Sequence, residues 1–257
     1  MADRASPWYS VYRPRPDAEV QLYCLPGAGA DATMFRPWAD RLPPDIELRA
    51  VRLPGRHAPH PEKPFTGCVE AADRLATGLA AHLRVPYVLF GHSMGALLAH
   101  QLIGALARGG LPPPLLYVSA SWLVEGTPRE RLPDPAASDE RFVEVLARLG
   151  GVPSRVLADQ EVLAFTLPVL RADFELCRTY RFDPGAPPLT VPVRAMGGVA
   201  DRVTPVEEMT GWARHARRFL GTRCFPGDHF FPRDQTAQVL GVLVEDIRAV
   251  RAAARAP

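Results

Sequence analysis

Ser93 stands in Gly91-His92-Ser93-Met94-Gly95, directly after the apolar run Tyr87-Val88-Leu89-Phe90 and directly before a segment rich in Ala and Leu with helical spacing. A serine on such a strand-to-helix turn can serve as a nucleophile. The turn presents its hydroxyl at the end of a sheet, and flanking glycines let strand and helix approach closely. The helix that follows aims the Met94 backbone N–H and a positive dipole end at the oxygen of an attacked carbonyl, so Met94 is expected to donate to an oxyanion. A serine nucleophile also needs a base, and His229 in Pro226-Gly-Asp-His-Phe-Phe231 follows a strand-like run, as does the carboxylate of Asp201. In that combination a neutral His229 takes the Ser93 proton, while Asp201 fixes its tautomer and stabilises the imidazolium. Asp228 is a rival carboxylate, but as the neighbour of His229 it cannot easily turn onto the far ring nitrogen. Asp201 is therefore favoured.

These three residues require a sheet whose strand ends lie side by side. The chain order Ser93, Asp201, His229 is that of α/β-hydrolases, and the expected fold class is α/β, a mostly parallel central sheet flanked by helices. Strands are predicted over Val20–Leu25, 46–53, 87–90, 115–120, 190–198 and Phe219–Phe225. Helices are predicted over 33–42, 68–83, from the Ser93 turn to 108, over 206–214 and over 236–253. In the second of these Val69, Ala72, Leu75, Ala76, Leu79 and Leu83 share a face. Residues 1–18 read as an irregular lead-in. From 121 to 188 the strand signal disappears, and helices at 140–149 and 156–180 form an insertion longer than a crossover needs, the place of a lid over the catalytic face. The expectation is one domain over residues 1–257 with a helical lid at about 121–188. The loop Pro26-Gly-Ala-Gly-Ala30 after the first strand admits two readings: a relaxed dinucleotide fingerprint, or a turn whose N–H groups face an anion. The second is preferred because it uses this loop and the serine turn in one site.

Composition narrows the function classes. The chain has 257 residues, 47% hydrophobic and 23% charged, with a net charge of +2 and no run apolar enough to span a bilayer. Nucleic-acid and membrane partners are not expected, and with no hydrophobic leader the protein is expected to be cytoplasmic. The four cysteines have no metal spacing, and no metal or cofactor is expected; Cys24 and Cys224 fall in predicted strands and read as small core residues. His57 and His60 read as solvated loop histidines, and His92 and His100 as packing or hydrogen-bonding residues.

Five segments then stand together: Leu25-Pro-Gly-Ala-Gly29, Leu53-Pro-Gly-Arg56, Gly91-His-Ser-Met-Gly95, Gly197-x-x-x-Asp201 and Gly227-Asp-His-Phe-Phe231. In these the chain resembles the type II thioesterases, free-standing α/β hydrolases that accompany polyketide and non-ribosomal peptide synthases. Members of that family remove acyl groups from the phosphopantetheine arm of carrier proteins. The resemblance implies Ser93, Asp201 and His229 as the triad, Ala28 and Met94 as the two oxyanion N–H donors, and the 121–188 insertion as the lid of an acyl chamber. Phe165, Leu167, Leu170, Phe174 and Leu176 are the residues of that lid expected to line the chamber. It also implies a transient acyl- or peptidyl-carrier partner for a monomeric enzyme. Where the family often has a bulkier residue, such as histidine, this chain has Gly27, and it has Ala30 where the family has glycine. Acyl transfer or cyclising release, general hydrolysis of small esters or thioesters, and a non-catalytic binding role are the competing functions.

Overall fold

Val20–Leu25 (β2), Ile46–Val51 (β3), Tyr87–His92 (β4), Leu116–Ala120 (β5) and Val193–Gly198 (β6) are buried at every residue, the signature of strands covered on both faces. The computed structural model describes residues 6–56, 62–84, 86–150 and 159–255. Among these, Tyr9–Ser10 (β1) and Phe219–Phe225 (β7) complete a seven-stranded sheet in the order β1-β3-β2-β4-β5-β6-β7. It is parallel throughout except for β1, which runs antiparallel to β3. The helices are Arg36–Ala39 (α1), Cys68–Leu79 (α2), Met94–Arg108 (α3), Asp139–Leu149 (α4), Gln160–Thr179 (α5), Trp212–His215 (α6), Phe231–Asp234 (α7) and Thr236–Arg255 (α8).

Alternation along the strands divides the core into two layers. Leu22, Cys24, Val88 and Phe90 join Phe35, Trp38 and the α8 residues Val239, Leu243 and Ile247 on one face. On the other face Tyr23, Leu25, Tyr87 and Leu89 meet Ala71, Ala72 and Leu75 of α2 and Leu98, Ala99 and Leu102 of α3. In β3 the alternate residues Glu47 and Arg49 are buried as an ion pair at 2.9 Å. Because β3 and β4 flank β2 on opposite sides, the chain leaves the carboxyl ends of β2 and β4 in diverging directions and opens a crevice there. Residues 27–30 and Ser93 stand at that crevice.

Between β5 and β6 the described residues contain no strand. Ser138 caps α4 by accepting from the Arg141 N–H, and α4 ends at Gly150 with φ 75°. Asp159 caps α5 through the N–H groups of Glu161 and Val162 at 3.1 Å. The two helices bury Phe142, Leu146, Leu167, Leu170 and Phe174 against each other. The expected start of the second helix, at 156, lies outside the described residues, as do His57 and His60.

Some expected elements are corrected. Residues 1–18 hold the short β1, whose two residues are too few for a periodic signal. The helix expected over 33–42 is a 3-10 turn, Ala32–Phe35, followed by the single turn of α1. The helix expected over 206–214 is likewise a 3-10 turn, Glu208–Gly211, leading into the single turn of α6. Helix α2 stops at Leu79 and presents Cys68 and Ala71 to the core, leaving Val69 on the solvent side at 55% exposure. Cys24 is buried, but Cys224 is exposed because β7 is an edge strand with only one neighbour.

Candidate active site

Ser93 occupies the junction of β4 and α3 with φ 54° and ψ −120°, a conformation that side chains rarely adopt. Its N–H donates to the Ala120 carbonyl at 2.8 Å, so β5 holds the turn from beside. The flanking glycines are required by distance. A Cβ on Gly91 would stand 2.3 Å from the Gly95 carbonyl oxygen, and one on Gly95 would stand 2.1 Å from that of Leu25. Helix α3 therefore starts against the end of β2, which brings the Met94 N–H beside the loop that leaves β2.

The structure brings Ser93, His229 and Asp201 into one hydrogen-bonded chain. His229 Nε2 lies 2.9 Å from Ser93 Oγ, and His229 Nδ1 lies 2.8 Å from Asp201 Oδ2. A carboxylate can only accept, so Nδ1 carries the proton and Nε2 is free to accept from the serine hydroxyl. Asp201 lies three residues past the end of β6, and its other oxygen accepts from the N–H groups of Val203 and Thr204, both at 2.9 Å. Burial alone would raise the Asp201 carboxyl, but the hydrogen bond and charge of His229, with the Thr204 N–H, hold it below its ordinary value. Thr204 Oγ1 donates to the carbonyl of Ser121, which follows β5 with φ 52°, and the bond braces the Asp201 turn. Asp228 turns away: its Oδ1 accepts from the Phe230 N–H at 2.8 Å, a local turn of its own.

His92 is buried behind this chain and donates Nε2–H to the His229 carbonyl at 2.8 Å. Burial, then the neighbouring His229 charge, push its pKa down to about 3. Below pH 6.5 the unfolded chain takes up a proton at His92 that the folded protein refuses until about pH 3, so stability is lost as pH falls through that window. His92→Gln keeps an N–H for the carbonyl and removes the titration. Urea unfolding at pH 7, 6 and 5 is expected to show a shallower slope for this variant, by up to about 1.4 kcal/mol per pH unit. Identical slopes would mean that His92 titrates in the folded protein as it does unfolded. The ring of His100 is packed among Trp122, Trp212 and Tyr180, at centroid distances of 5.5, 5.8 and 6.3 Å, and takes no part in the site.

The loop after β2 lies against the serine turn. A Cβ on Gly27 would stand 3.1 Å from His92 Nδ1 and 3.6 Å from Ser93 Cβ, so glycine lets the loop sit this close. The Ala28 and Met94 N–H groups donate to no acceptor among the described residues. Gly29 has φ 72° and its N–H donates to Asp173 of α5 at 2.7 Å, a link the sequence does not announce.

Two cavities meet at Ser93. The larger, about 470 Å³, is lined by residues 27–30 and by Met34, Trp38, Leu146, Leu170, Phe174 and Phe230. The smaller, about 360 Å³, is bounded by Trp122, Glu125, Arg129, Arg178, Tyr180 and Arg181. Of the five residues expected to line a chamber from α5, Leu170 and Phe174 face the larger cavity. Phe165 does not: it is 82% exposed on the outer side of the helix. Leu167 fills the contact with α4, and Leu176 packs into the core over α2 and α3. The reason is helical phase. At about 100° per residue the cavity stripe runs through Val162, Thr166, Leu170, Phe174 and Cys177, and Phe165 and Leu176 lie about a quarter to a third of a turn off it. Among the described residues no group of three or more His, Cys, Asp or Glu could hold a metal ion, and no helix is long and apolar enough to cross a membrane.

The thioesterase domain family model matches residues 20–247. The gramicidin S biosynthesis protein GrsT of Aneurinibacillus migulanus is 29% identical over 246 residues, covering 95% of both chains. Thioesterase PikA5 of Streptomyces venezuelae is 32% identical over 252 residues, covering 96% of this chain and 87% of its own length. The structure of the type II thioesterase BorB from the borrelidin biosynthetic cluster superposes with a TM-score of 0.80 at 33% identity, over 93% of this chain and 97% of that one. With a family model over most of its length and relatives matched nearly end to end, the chain belongs to the thioesterase family and is similar to its type II members.

Proposed function

We propose that the protein hydrolyses acyl thioesters carried on the phosphopantetheine arm of a carrier protein, through an acyl-Ser93 intermediate. Ser93 Oγ attacks the thioester carbonyl carbon as His229 Nε2 takes its proton, and Asp201 stabilises the imidazolium. The oxygen, now negative, receives the Ala28 and Met94 N–H groups. Collapse breaks the C–S bond, and His229 returns the proton to the departing sulfur. Water then gives a proton to His229, attacks the acyl-serine, and releases the free acid and the serine hydroxyl. What carries the reading is the meeting, at one hydrogen-bonded serine, of an apolar cavity and a second cavity whose lining includes Arg129, Arg178 and Arg181. The apolar cavity under α4 and α5 suits an acyl chain, with these two helices as its lid.

The smaller cavity suits the polar arm. Arg129 and Arg181 line it, and both donate to the Arg178 carbonyl; neither has a carboxylate partner among the described residues. Unpaired guanidinium groups at the outer end of a cavity that begins at Ser93 fit the phosphodiester through which the arm joins its protein. Exposed charge attraction fades over a screening length of about 8 Å at physiological ionic strength. Raising salt is therefore expected to increase KM for an acyl-carrier substrate and to leave the same acyl group on N-acetylcysteamine nearly unchanged. Equal salt sensitivity of the two substrates would overturn carrier recognition and favour a general hydrolase of small thioesters or esters.

A further inference from the structure

We infer that Asp173 and Arg56 are positioning residues for the oxyanion loop, holding the Ala28 N–H in place from α5. The inference rests on the acyl-serine reading above. Asp173 lies on α5 with 2% exposure, and its Oδ2 accepts both the Gly29 N–H, at 2.7 Å, and a guanidinium N–H of Arg56. Arg56, in the Leu53-Pro-Gly-Arg56 turn after β3, donates Nε–H to the Ala30 carbonyl at 2.7 Å and Nη1–H to the Pro54 carbonyl at 3.3 Å. The pair therefore grips the loop at the two residues after Ala28, by an N–H on one and a carbonyl on the other. One turn earlier on α5, Leu170 closes on the same place: a Cβ on Gly29 would stand 2.4 Å from Leu170 Cδ2. On its other side the loop rests on the serine turn through Gly27.

Ala28 is thus the one loop residue between two fixed points, its conformation set by the serine turn before it and by α5 after it. A carboxylate and a guanidinium buried to this degree, with side-chain exposures of 2% and 6%, are costly to leave unpaired. Displacing α5 would strand both charges and free Gly29. The oxyanion donor is then assembled only when α5 is seated, so the helix that covers the acyl cavity also controls the electrophilic side of the reaction. Spending a buried ion pair on two backbone groups of a loop has a catalytic reason here, because an oxyanion donor must be in place before the charge develops.

The test uses Asp173→Ala and Asp173→Asn, with acetyl and octanoyl thioesters of pantetheine and with a trifluoromethyl ketone that forms a tetrahedral adduct on a serine. Asp173→Ala is expected to lower kcat by about ten- to a hundredfold, equally for both acyl lengths, and to weaken the ketone in the same proportion. Asp173→Asn retains an acceptor for the Gly29 N–H and should recover part of both losses. A loss confined to KM, or growing with acyl length while ketone affinity stays, would overturn the proposal and leave Asp173 a shaper of the acyl cavity. Unchanged kinetics in a folded variant would overturn it as well. Should the alanine variant fail to fold, Arg56→Lys read on the same substrates and ketone takes its place. Failure of the serine reading looks different: the wild-type protein itself would form no ketone adduct.

Discussion

Ser93→Ala is expected to leave a folded protein that forms no acyl-enzyme and has lost turnover by about a millionfold, the scale on which removing the nucleophile of such a unit acts. The fold should survive because alanine meets the same backbone demand as serine at φ 54°, and the turn is held by the Ala120 carbonyl and the two glycine contacts, none of which uses Oγ. Among the described residues no other side chain is placed to substitute. Ser121 shares the unusual backbone but is buried and lines neither cavity. Cys177 borders both cavities, yet burial pushes its thiol far above the ordinary range, so the reactive thiolate is scarce near neutral pH. Mass spectrometry after one equivalent of an acylating probe is expected to place the adduct on Ser93 in the wild-type protein and nowhere in the variant. An adduct on Cys177, Cys24 or Cys224 would transfer the nucleophile's role.

Strands such as β4 and β5 were legible because a strand covered on both sides has to be apolar at nearly every position, whereas β3, with Glu47 and Arg49, showed itself by alternation. Phase was harder to read. Val69 and Ala71 are two residues apart on α2, and both suit an apolar stripe; only the docking of the helix decides that the smaller one goes inward. The same uncertainty displaced Phe165, whose size suggested a chamber wall although the helix turns it to solvent. Short elements such as β1 and the single-turn helices depend on tertiary contacts and leave no periodic trace.

Within the site, what could be read were the residues whose types and local turns carry the chemistry: the Gly-x-Ser-x-Gly turn and the strand-end positions of Asp201 and His229. What could not be read were partners brought in from distant segments. Arg56 and Asp173 are separated by 117 positions, and nothing in either neighbourhood marks a shared task. The two cavities were equally hidden, because Arg129, Arg178 and Arg181 form a group only when the segments around α5 are folded together. Local chemistry is written in contiguous residues, whereas the shape and charge around it arise from packing.

Asp201→Asn is expected to lower turnover about ten-thousandfold while Asp228→Asn changes it by only a few-fold, and the structure supplies the reason for so large a difference. In the wild-type protein Asp201 Oδ1 is committed to the N–H groups of Val203 and Thr204, and Oδ2 faces His229 Nδ1. An asparagine must satisfy the same two N–H donors, so its oxygen stays there and its NH₂ turns to the imidazole. His229 Nδ1 then has to accept, the ring proton moves to Nε2, and the nitrogen facing Ser93 can no longer receive a proton. The amide also carries no charge to stabilise an imidazolium. Size, hydrogen-bond count and burial are nearly unchanged, so the loss should fall on kcat with thermal stability little altered. Asp228 makes only its own turn with the Phe230 N–H, and its amide can accept that bond as well as the carboxylate does. Kinetics of the two variants, purified together and matched by melting temperature, decide the assignment, and a reversed ranking would give the orienting role to Asp228.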